Sequence, residues 1–347
     1  MKKLLLGFLF ALCSVYSLYA VKAYPYMLTK TQNDGTTVNY YLHGDEFFSW
    51  MTSEDGYLIA TNELGYLEYA NIFENLIIPT GVRCNNVSVR TDSEKIFLMS
   101  RPKASSLTEK IKVLASNAEN KMQKAPASMD KPRKYPLKGS PRSLVILVNF
   151  SDVSFTSPTA NQDFTNLLNQ SGYSLNGGTG SARDYFIASS DSAFAPQFDV
   201  LGPYTLNKSQ AYYGAESNGR NDANPAQMII DAVAIASDYV DLSIYDTDGD
   251  KNIDNVFVYY AGYNQAEGGG ANTIWPHRSS IYGDYKYDGV RIRDYACTSE
   301  FRGSYGQMMC GIGTFCHEFG HVLGLADLYV TDYSSTHDTP SSWDIMD

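Results

Sequence analysis

Two histidines and a glutamate near the carboxyl end of the chain have the spacing of a metal-binding helix. Residues 317–327 are HEFGHVLGLAD, so His317 and His321 are four residues apart. On a helix both imidazoles project from one face and can reach one zinc ion, at bond lengths of about 2.0–2.1 Å. Glu318 is placed to accept a proton from a water molecule that the metal activates. The alternative is an ordinary amphipathic helix, which is disfavoured because these three polar side chains are costly to bury without a metal.

A third ligand has to come from beyond the helix. Gly324 is seven residues after His317 and permits the positive φ that ends a helix and turns the chain back. This return would bring Asp327 to the metal. His337 is the competing candidate for third ligand, because it lies between the helix and the end of the chain.

The last residues of the chain, 341–347, are SSWDIMD. In zinc proteases with an extended HExxH pattern, a tight turn carrying a methionine forms a floor beneath the metal. Met346 comes 19 residues after Asp327 and is the candidate for this position. The alternative is a Trp–Met pair in a surface loop.

Several segments together resemble the immune inhibitor A family of secreted metallopeptidases, in the metzincin group. Residues 44–50 (GDEFFSW) and 56–57 are similar to its propeptide, and residues 246–250, 274–277 and 317–329 are similar to its catalytic domain. The resemblance implies zinc ligands at His317, His321 and Asp327, a general base at Glu318 and the turn methionine at Met346. The chain departs from the family at two positions, with Ala326 where Pro is frequent and Val330 where Asp is frequent.

The amino terminus predicts export. Two lysines follow Met1, residues 4–12 are largely apolar, and cleavage after Ala20 or Ala23 would leave a small residue at the cut. This is the pattern of a signal peptide over residues 1–20, and its apolar core is too short for a stable membrane span. We therefore expect a secreted or otherwise exported protein.

The rest of the 347-residue chain divides into three segments. Residues 24–100 contain short alternating apolar runs and predict a small β-rich propeptide. Residues 101–140, rich in Lys, Ser, Ala and Pro, predict a linker with the activation site, and the basic cluster 131–134 is its expected target. Residues 141–347 predict an α+β domain, with a buried strand at residues 143–150 and helices at residues 181–189 and 225–236. The resemblance implies that this domain is metzincin-like, with a twisted mixed sheet, a backing helix and the zinc-binding helix. The chain stops one residue after Met346, so the domain is expected to continue in a longer protein.

Charge is distributed unevenly. Residues 21–140 hold 15 Lys and Arg against 13 Asp and Glu, whereas residues 141–347 hold 10 against 25. This acidity argues against a nucleic-acid partner.

An acidic loop in the second half has the composition of a calcium site. Residues 246–254 are DTDGDKNID, and hard oxygen ligands from alternating carboxylates suit Ca²⁺. The candidate ligands are Asp246, Asp248, Asp250 and Asp254. A solvated acidic turn is the alternative, and an EF-hand is excluded because its twelfth position is Phe257 instead of Glu.

Four cysteines remain after export: Cys84, Cys297, Cys310 and Cys316. We expect a disulfide between Cys297 and Cys310 and a buried thiol at Cys316. Cys84 is a weaker candidate for a thiolate that blocks the zinc. His277 is expected to be structural.

These observations favour a zinc endopeptidase made as a zymogen, acting on protein or peptide substrates and inhibited by its own propeptide. The alternative is a catalytically inactive, calcium-stabilised surface or adhesion module with a structural zinc. The two differ in the metal site, because three protein ligands leave a position for catalysis and four do not.

Overall fold

The computed structural model describes residues 19–122, 135–216, 221–329, 339–340 and 343–347. The first 18 residues of the predicted signal peptide, the basic cluster 131–134 and His337 lie outside the described residues. Across the described ranges, no helix combines the length and apolarity that a membrane crossing requires.

The amino-terminal unit is a six-stranded antiparallel sheet in which each strand pairs with the next one along the chain. Burial alternates along its second strand, where Val38, Tyr40 and Leu42 face the core, as a sheet with one buried face requires. The strands are β2 (Leu28–Thr31), β3 (Thr37–Gly44), β4 (Ser49–Ser53), β5 (Leu58–Thr61), β6 (Leu67–Phe73) and β7 (Leu76–Arg83).

Two helices follow this sheet, α1 (Asp92–Leu98) and α2 (Thr108–Met122). Helix α2 lies in the segment predicted to be a linker, so that prediction is wrong for these residues. The reason is a stripe of small and apolar residues at helical spacing, which the Lys- and Ser-rich composition obscures. The stripe packs against Phe48 of the sheet and consists of Ile111, Leu114, Ala115 and Ala118.

The second unit contains a mixed six-stranded sheet in the order β1-β11-β14-β10-β8-β9. Strands β8, β9, β10 and β14 are parallel to one another, and β11 and β1 are antiparallel additions at one edge. A short hairpin, β12 (Lys286–Tyr287) with β13 (Val290–Arg291), lies outside the sheet. The sheet strands are β1 (Tyr19–Ala20), β8 (Arg142–Asn149), β9 (Gln197–Thr205), β10 (Val256–Tyr260), β11 (His277–Ser280) and β14 (Asp294–Ser299).

Helices cover both faces of this sheet, which explains why β8 and β10 are almost uniformly buried. Helix α6 (Pro225–Ala236) packs on one face together with Leu144, Ile146 and Val148 of β8. The other face carries α3 (Ala160–Asn169), α4 (Ala182–Ser189) and α7 (Gly313–Val322). A shorter helix, α5 (Gln210–Gly214), precedes α6. The α+β class and the mixed sheet expected from the sequence are therefore confirmed.

The two units are in direct contact. Ala266 and Trp275 of the second unit are part of the hydrophobic core of the first sheet. The Trp275 indole donates a hydrogen bond to the carbonyl oxygen of Val21 at 2.7 Å, and the Tyr24 amide donates to Ala266 at 2.8 Å. Strand β1 falls within the predicted signal peptide and pairs with Arg278 and His277, so cleavage after Ala20 would remove it.

The predicted Cys297–Cys310 disulfide is wrong. All four described cysteines are free and buried. Cys297 belongs to the core on the α6 face of the sheet, and Cys310 belongs to the core on the α7 face, so the sheet separates them. Sequence spacing alone could not reveal this, because side-chain direction in β14 alternates from one residue to the next.

Candidate active site

Helix α7 holds the three polar residues of the HExxH segment in a buried position. His317, Glu318 and His321 are buried on one side of the helix, while Phe315 and Phe319 pack into the core on the other. Phe315 and Phe319 are themselves four residues apart, with ring centroids 5.7 Å apart. The aromatic side therefore fixes the rotation of the helix, and this rotation directs the polar side toward the site.

Gly324 ends the helix and turns the chain back. Its φ is +94°, and the amides of Gly324 and Leu325 donate to His321 and Gly320, both at 3.0 Å. This is the paired hydrogen-bond pattern of a glycine-terminated helix. The turn returns Asp327 to the helix face that carries the histidines.

Three potential ligand atoms form a nearly equilateral triangle. The Nε2 atoms of His317 and His321 are 3.1 Å apart, and Oδ1 of Asp327 is 3.3 Å from each of them. Three corners of a tetrahedron around a zinc ion, with bonds of about 2.0–2.1 Å, are separated by about 3.3–3.4 Å. The triangle therefore has the size that one tetrahedral zinc ion requires.

The other nitrogen of each imidazole is fixed by a backbone carbonyl. Nδ1 of His317 is 2.7 Å from the oxygen of Ile345, and Nδ1 of His321 is 3.0 Å from the oxygen of Leu325. A carbonyl only accepts, so each Nδ1 carries a proton, and each ring in its neutral form presents its lone pair at Nε2. Two lone pairs and a carboxylate oxygen at this spacing suit a cation between them, and this donor set fits zinc.

The carboxylates make the site electrostatically negative. Burial opposes protonation of His317, but Asp327 and Glu318 outweigh it and raise its pKa to about 9. Burial lowers the pKa of His321. Burial also raises the pKa of Glu318 to about 8, with Asp327 adding to the rise and the positive charges of His317 and Arg278 opposing it. A cation in the triangle would offset these costs of burying charge.

Glu318 is completely buried, and neither of its oxygens has a hydrogen-bond partner among the described residues. A buried carboxylate without partners is costly, so its retention calls for an explanation. Beside the ligand triangle, both oxygens are available to a water molecule or a substrate.

Met346 is buried against helix α7 beside this site. It is 3% exposed, and a Cβ on Gly320 would be 2.7 Å from its sulfur. The Leu328 amide donates to the Met346 carbonyl at 2.8 Å, which joins the last residues to the segment after Asp327. The preceding residue, Ile345, supplies the carbonyl that orients His317.

Two residues at the site were missed by sequence reasoning. Glu46, in the loop between β3 and β4, is 5% exposed and lies close enough to Glu318 and Asp327 for their charges to raise its pKa further above its usual range, after burial itself. Tyr329 is buried among the same carboxylates. One feature of the sequence could have drawn attention to Glu46: residues 44–50 combine two acidic residues with three aromatic residues around a turn.

Other candidates lie elsewhere. His277 is buried with Nδ1 2.7 Å from the Trp275 oxygen and Nε2 2.8 Å from the Tyr295 hydroxyl, and burial lowers its pKa to about 4. It is therefore a structural histidine. Cys84 lies in the core of the first sheet, where burial raises its pKa to about 11, which disfavours a thiolate that blocks zinc.

The acidic loop brings three of its four predicted ligands together. Ligand atoms of Asp246, Asp248 and Asp254 lie within 4.8 Å of one another. Asp250 is outside this group, and its Oδ1 accepts from the Asn252 amide and side chain, both at 2.8 Å. Burial raises the pKa of Asp254 to about 6.

Comparison with known proteins places this geometry in a family. Residues 134–347 match the family model described as immune inhibitor A peptidase M6, catalytic domain. The pre-pro-metalloprotease PrtV of Vibrio cholerae serotype O1 (strain M66-2) is 26% identical over 251 residues, covering 60% of this chain and 27% of PrtV. Immune inhibitor A of Bacillus thuringiensis subsp. alesti is 27% identical over 195 residues, covering 47% of this chain and 28% of that protein.

The chain thus spans little more than a quarter of the length of these curated relatives. The family match covers more than half of the chain and includes the ligand triangle, Glu318 and Met346. The chain belongs to the immune inhibitor A (M6) peptidase family, and its relative PrtV bears the name of a metalloprotease.

Proposed function

We propose that this chain is a zinc-dependent endopeptidase that is exported and made as a zymogen. The observation that carries the proposal is the triangle of His317, His321 and Asp327, beside the buried carboxylate of Glu318, for which the described residues supply no hydrogen-bond partner. Family membership supports metallopeptidase chemistry, and the two histidines and a carboxylate favour zinc.

In this proposal each residue has a defined task. His317, His321 and Asp327 hold the ion, and the carbonyls of Ile345 and Leu325 keep both imidazoles in the ligating tautomer. When bound, zinc polarises the peptide carbonyl and activates water. Glu318 accepts the proton from the attacking water and delivers it to the leaving amine.

Latency is proposed for residues 24–100, the predicted propeptide. Three observations support it. The first sheet packs against the second unit through Ala266 and Trp275, one of its loops carries Glu46 to the site, and PrtV bears the name pre-pro-metalloprotease. Export is proposed from the amino-terminal sequence.

A calcium ion is proposed at the acidic loop. The convergence of Asp246, Asp248 and Asp254 supports it, because three carboxylates at this distance repel one another unless a cation lies between them. Asp250 is the weakest of the four predicted ligands, since its carboxylate is engaged by Asn252.

The test is to purify the protein, activate it by limited proteolysis, measure zinc per chain by mass spectrometry, and digest a peptide library. We expect one catalytic zinc and internal cleavage of peptides. A zinc chelator should abolish cleavage, and added zinc should restore it. Stoichiometric zinc without cleavage by any processed form would favour the alternative, a surface or adhesion module with a structural zinc.

A further inference from the structure

The first unit contains an open cavity that the peptidase site does not use. It has a volume of about 550 Å³ and lies where β6, β7, the end of α1 and the start of α2 meet. Every described residue that lines it lies between Tyr57 and Lys110, so these walls belong to the first unit alone. The volume is within the range of about 300–1,000 Å³ that is typical of ligand sites.

The inner wall of the cavity is apolar. Leu58, Tyr69 and Leu98 line it and are 2%, 2% and 5% exposed. At its rim, Phe73 is 60% and Ile78 is 38% exposed. Large apolar side chains that stay exposed around a concave surface are typical of an interaction site. The cavity therefore offers a place for a large apolar side chain of a ligand.

The charged residues at the cavity are all cations. Arg101 and Lys110 are the charged members of its described lining, and Lys103 is next to them in the chain. Within the described part of the chain, none of these three side chains forms an ion pair with a carboxylate. By contrast, Lys112 on the same helix as Lys110 pairs with Glu109 at 2.8 Å. The positive charge beside the cavity is thus uncompensated.

Two of these cations are held in place by aromatic rings of the wall. The guanidinium carbon of Arg101 is 4.3 Å from the centroid of the Phe97 ring, and Nη1 donates to Oδ1 of Asn71 at 2.8 Å. The Lys103 ammonium is 5.5 Å from the centroid of the Tyr57 ring. A guanidinium has five N–H donors, so Arg101 retains donors for an anion. A carboxylate would meet charges that are already positioned, which lowers the entropy cost of binding.

Strand β7 forms one side of the cavity and is an edge of its sheet. Its residues Ile78, Pro79 and Thr80 line the cavity. An edge strand presents backbone N–H and C=O groups that no neighbouring strand uses, and extended peptides bind such groups. Pro79 has no N–H, so this pairing can only be short. A short peptide can use these polar groups, whereas the tail of a fatty acid cannot.

We propose that this cavity binds a short acidic peptide segment of another protein. A large apolar side chain of the peptide occupies the cavity, and neighbouring carboxylates pair with Arg101, Lys103 and Lys110. The inference goes beyond the peptidase function and requires no metal. The chain's own segment 123–134 is a poor occupant, because it carries four Lys and Arg residues against a single acidic one.

The test measures peptide binding by fluorescence anisotropy. The full chain carries Glu318→Ala, so that it can neither cleave the peptide nor process itself. The first probe is a fluorescent peptide with one phenylalanine between two pairs of glutamates. A second probe has lysines in place of the glutamates, and a third has glycine in place of the phenylalanine. We expect the first probe to bind, and the other two to bind at least about 10-fold more weakly, because each lacks one of the two kinds of contact.

Two substitutions at the cavity are compared with a matched control. Lys110→Glu and Arg101→Gln should each weaken binding of the first probe by at least about 10-fold, as expected for the loss of a charge-assisted contact. Lys95→Glu changes the net charge of the same unit by the same amount as Lys110→Glu. Lys95 is exposed on α1 outside the described lining of the cavity, so its replacement should change the affinity little. Melting temperatures show whether each variant is folded, and Lys110 is exposed, so Lys110→Glu should fold normally.

Equal binding of the glutamate and lysine probes, or an unchanged affinity in folded Lys110→Glu, would overturn the proposal. Binding of laurate without binding of the first probe would do so too, because it would assign the cavity to a fatty anion. A dimer that Lys110→Glu abolishes, again without binding of the probe, would assign it to a second copy of the chain. Zinc-depleted protein should bind the first probe with the same affinity, so a failure of the proposed function would leave this inference standing.

Discussion

The sulfur of Met346 lies against the backbone of Gly320, one helical position before the ligand His321. A Cβ on Gly320 would be 2.7 Å from that sulfur. Distances below about 3.0 Å require a neighbour to move, and Met346 is 3% exposed. The carbonyl of Ile345, the residue before Met346, accepts a hydrogen bond from His317. A displaced methionine would therefore disturb a candidate metal ligand.

Gly320→Ala should therefore weaken zinc binding by about 10-fold, through loss of the orientation of His317. Zinc binding should weaken even though alanine is more favourable than glycine within a helix by about 1 kcal/mol. In a Met346→Ala background the added methyl group has room, so Gly320→Ala should cost little there. Zinc titration of the four proteins of this double-mutant cycle measures the coupling. Additive effects would show that the contact does not matter for the metal.

Replacement of Glu318 separates catalysis from metal binding. Glu318→Ala removes the proton acceptor and leaves the three ligand atoms, so zinc content should stay near one per chain. The turnover of the activated enzyme on casein should fall by about 10²–10⁴-fold, the usual contribution of a positioned acid or base. Asp191→Asn, an exposed change in the same unit, is the control. Near-native turnover of the Glu318 variant would refute its role as general base.

The identity of the third ligand can be tested by metal content alone. Asp327→Ala should cause nearly complete zinc loss during dialysis, because Oδ1 of Asp327 completes the triangle. His337→Ala, at a position outside the described residues, should retain zinc. Equal losses, or a larger loss for His337→Ala, would reassign the ligand.

Calcium binding should be visible in the melting temperature. Millimolar calcium should raise it, because a ligand that binds only the folded state stabilises that state. Asp248→Asn should remove most of the response, whereas Asp250→Asn should leave most of it, since Asp250 bonds Asn252. An undiminished response in Asp248→Asn would place the ion elsewhere.

The acidic loop also predicts that the melting temperature depends on pH when a calcium chelator is present. The folded pKa of Asp254 is about 6, above the unfolded value of about 3.9. Folding therefore favours the protonated form of Asp254. The contribution of this group to the stability of the folded state is present below about pH 4 and is lost as the pH rises through about 6. The melting temperature in chelator should fall over this interval for the native protein and fall less for Asp254→Asn. Saturating calcium should remove the difference, because it compensates the ionised carboxylate.

Sequence reasoning was effective where one element or one strong pattern decides the structure. The strand at residues 143–150, the helix at 181–189 and the helix at 225–236 correspond to β8, α4 and α6. Ser181 and Asp184 form a reciprocal cap that the sequence already displays. The spacing of His317 and His321 likewise indicated one helix face.

Sequence reasoning failed where distant parts of the chain meet. Glu46 and Glu318 are 272 positions apart in the chain, and no local pattern links them. The cysteines were paired by proximity in sequence, although the sheet separates Cys297 from Cys310. Helix α2 was missed because its stripe is stabilised by Phe48, a tertiary contact that overrides composition.

The location of α2 sharpens the expectation for activation. Cleavage was predicted within the segment 101–140, with the cluster 131–134 as its main target. Proteases cut poorly within packed helices, so residues 108–122 should be protected. Amino-terminal sequencing of the active species should therefore find a start after Met122. A start near Tyr24, or full activity of the intact chain, would show that the first unit is a permanent accessory domain.

The released unit should inhibit when it is added back, and the fragment chosen should matter. Residues 24–122 retain Ile111 and Leu114 behind Phe48, whereas residues 24–100 lose them. Without this support the loop between β3 and β4, which carries Glu46, has fewer contacts to hold its shape. We expect the longer fragment to inhibit the activated enzyme at least about 10-fold more tightly, which corresponds to about 1.4 kcal/mol. Glu63→Gln in the longer fragment, at an exposed tip of the same sheet, is the matched control, and it should inhibit as tightly as the native fragment. Equal inhibition by both native fragments would mean that α2 does not support the loop.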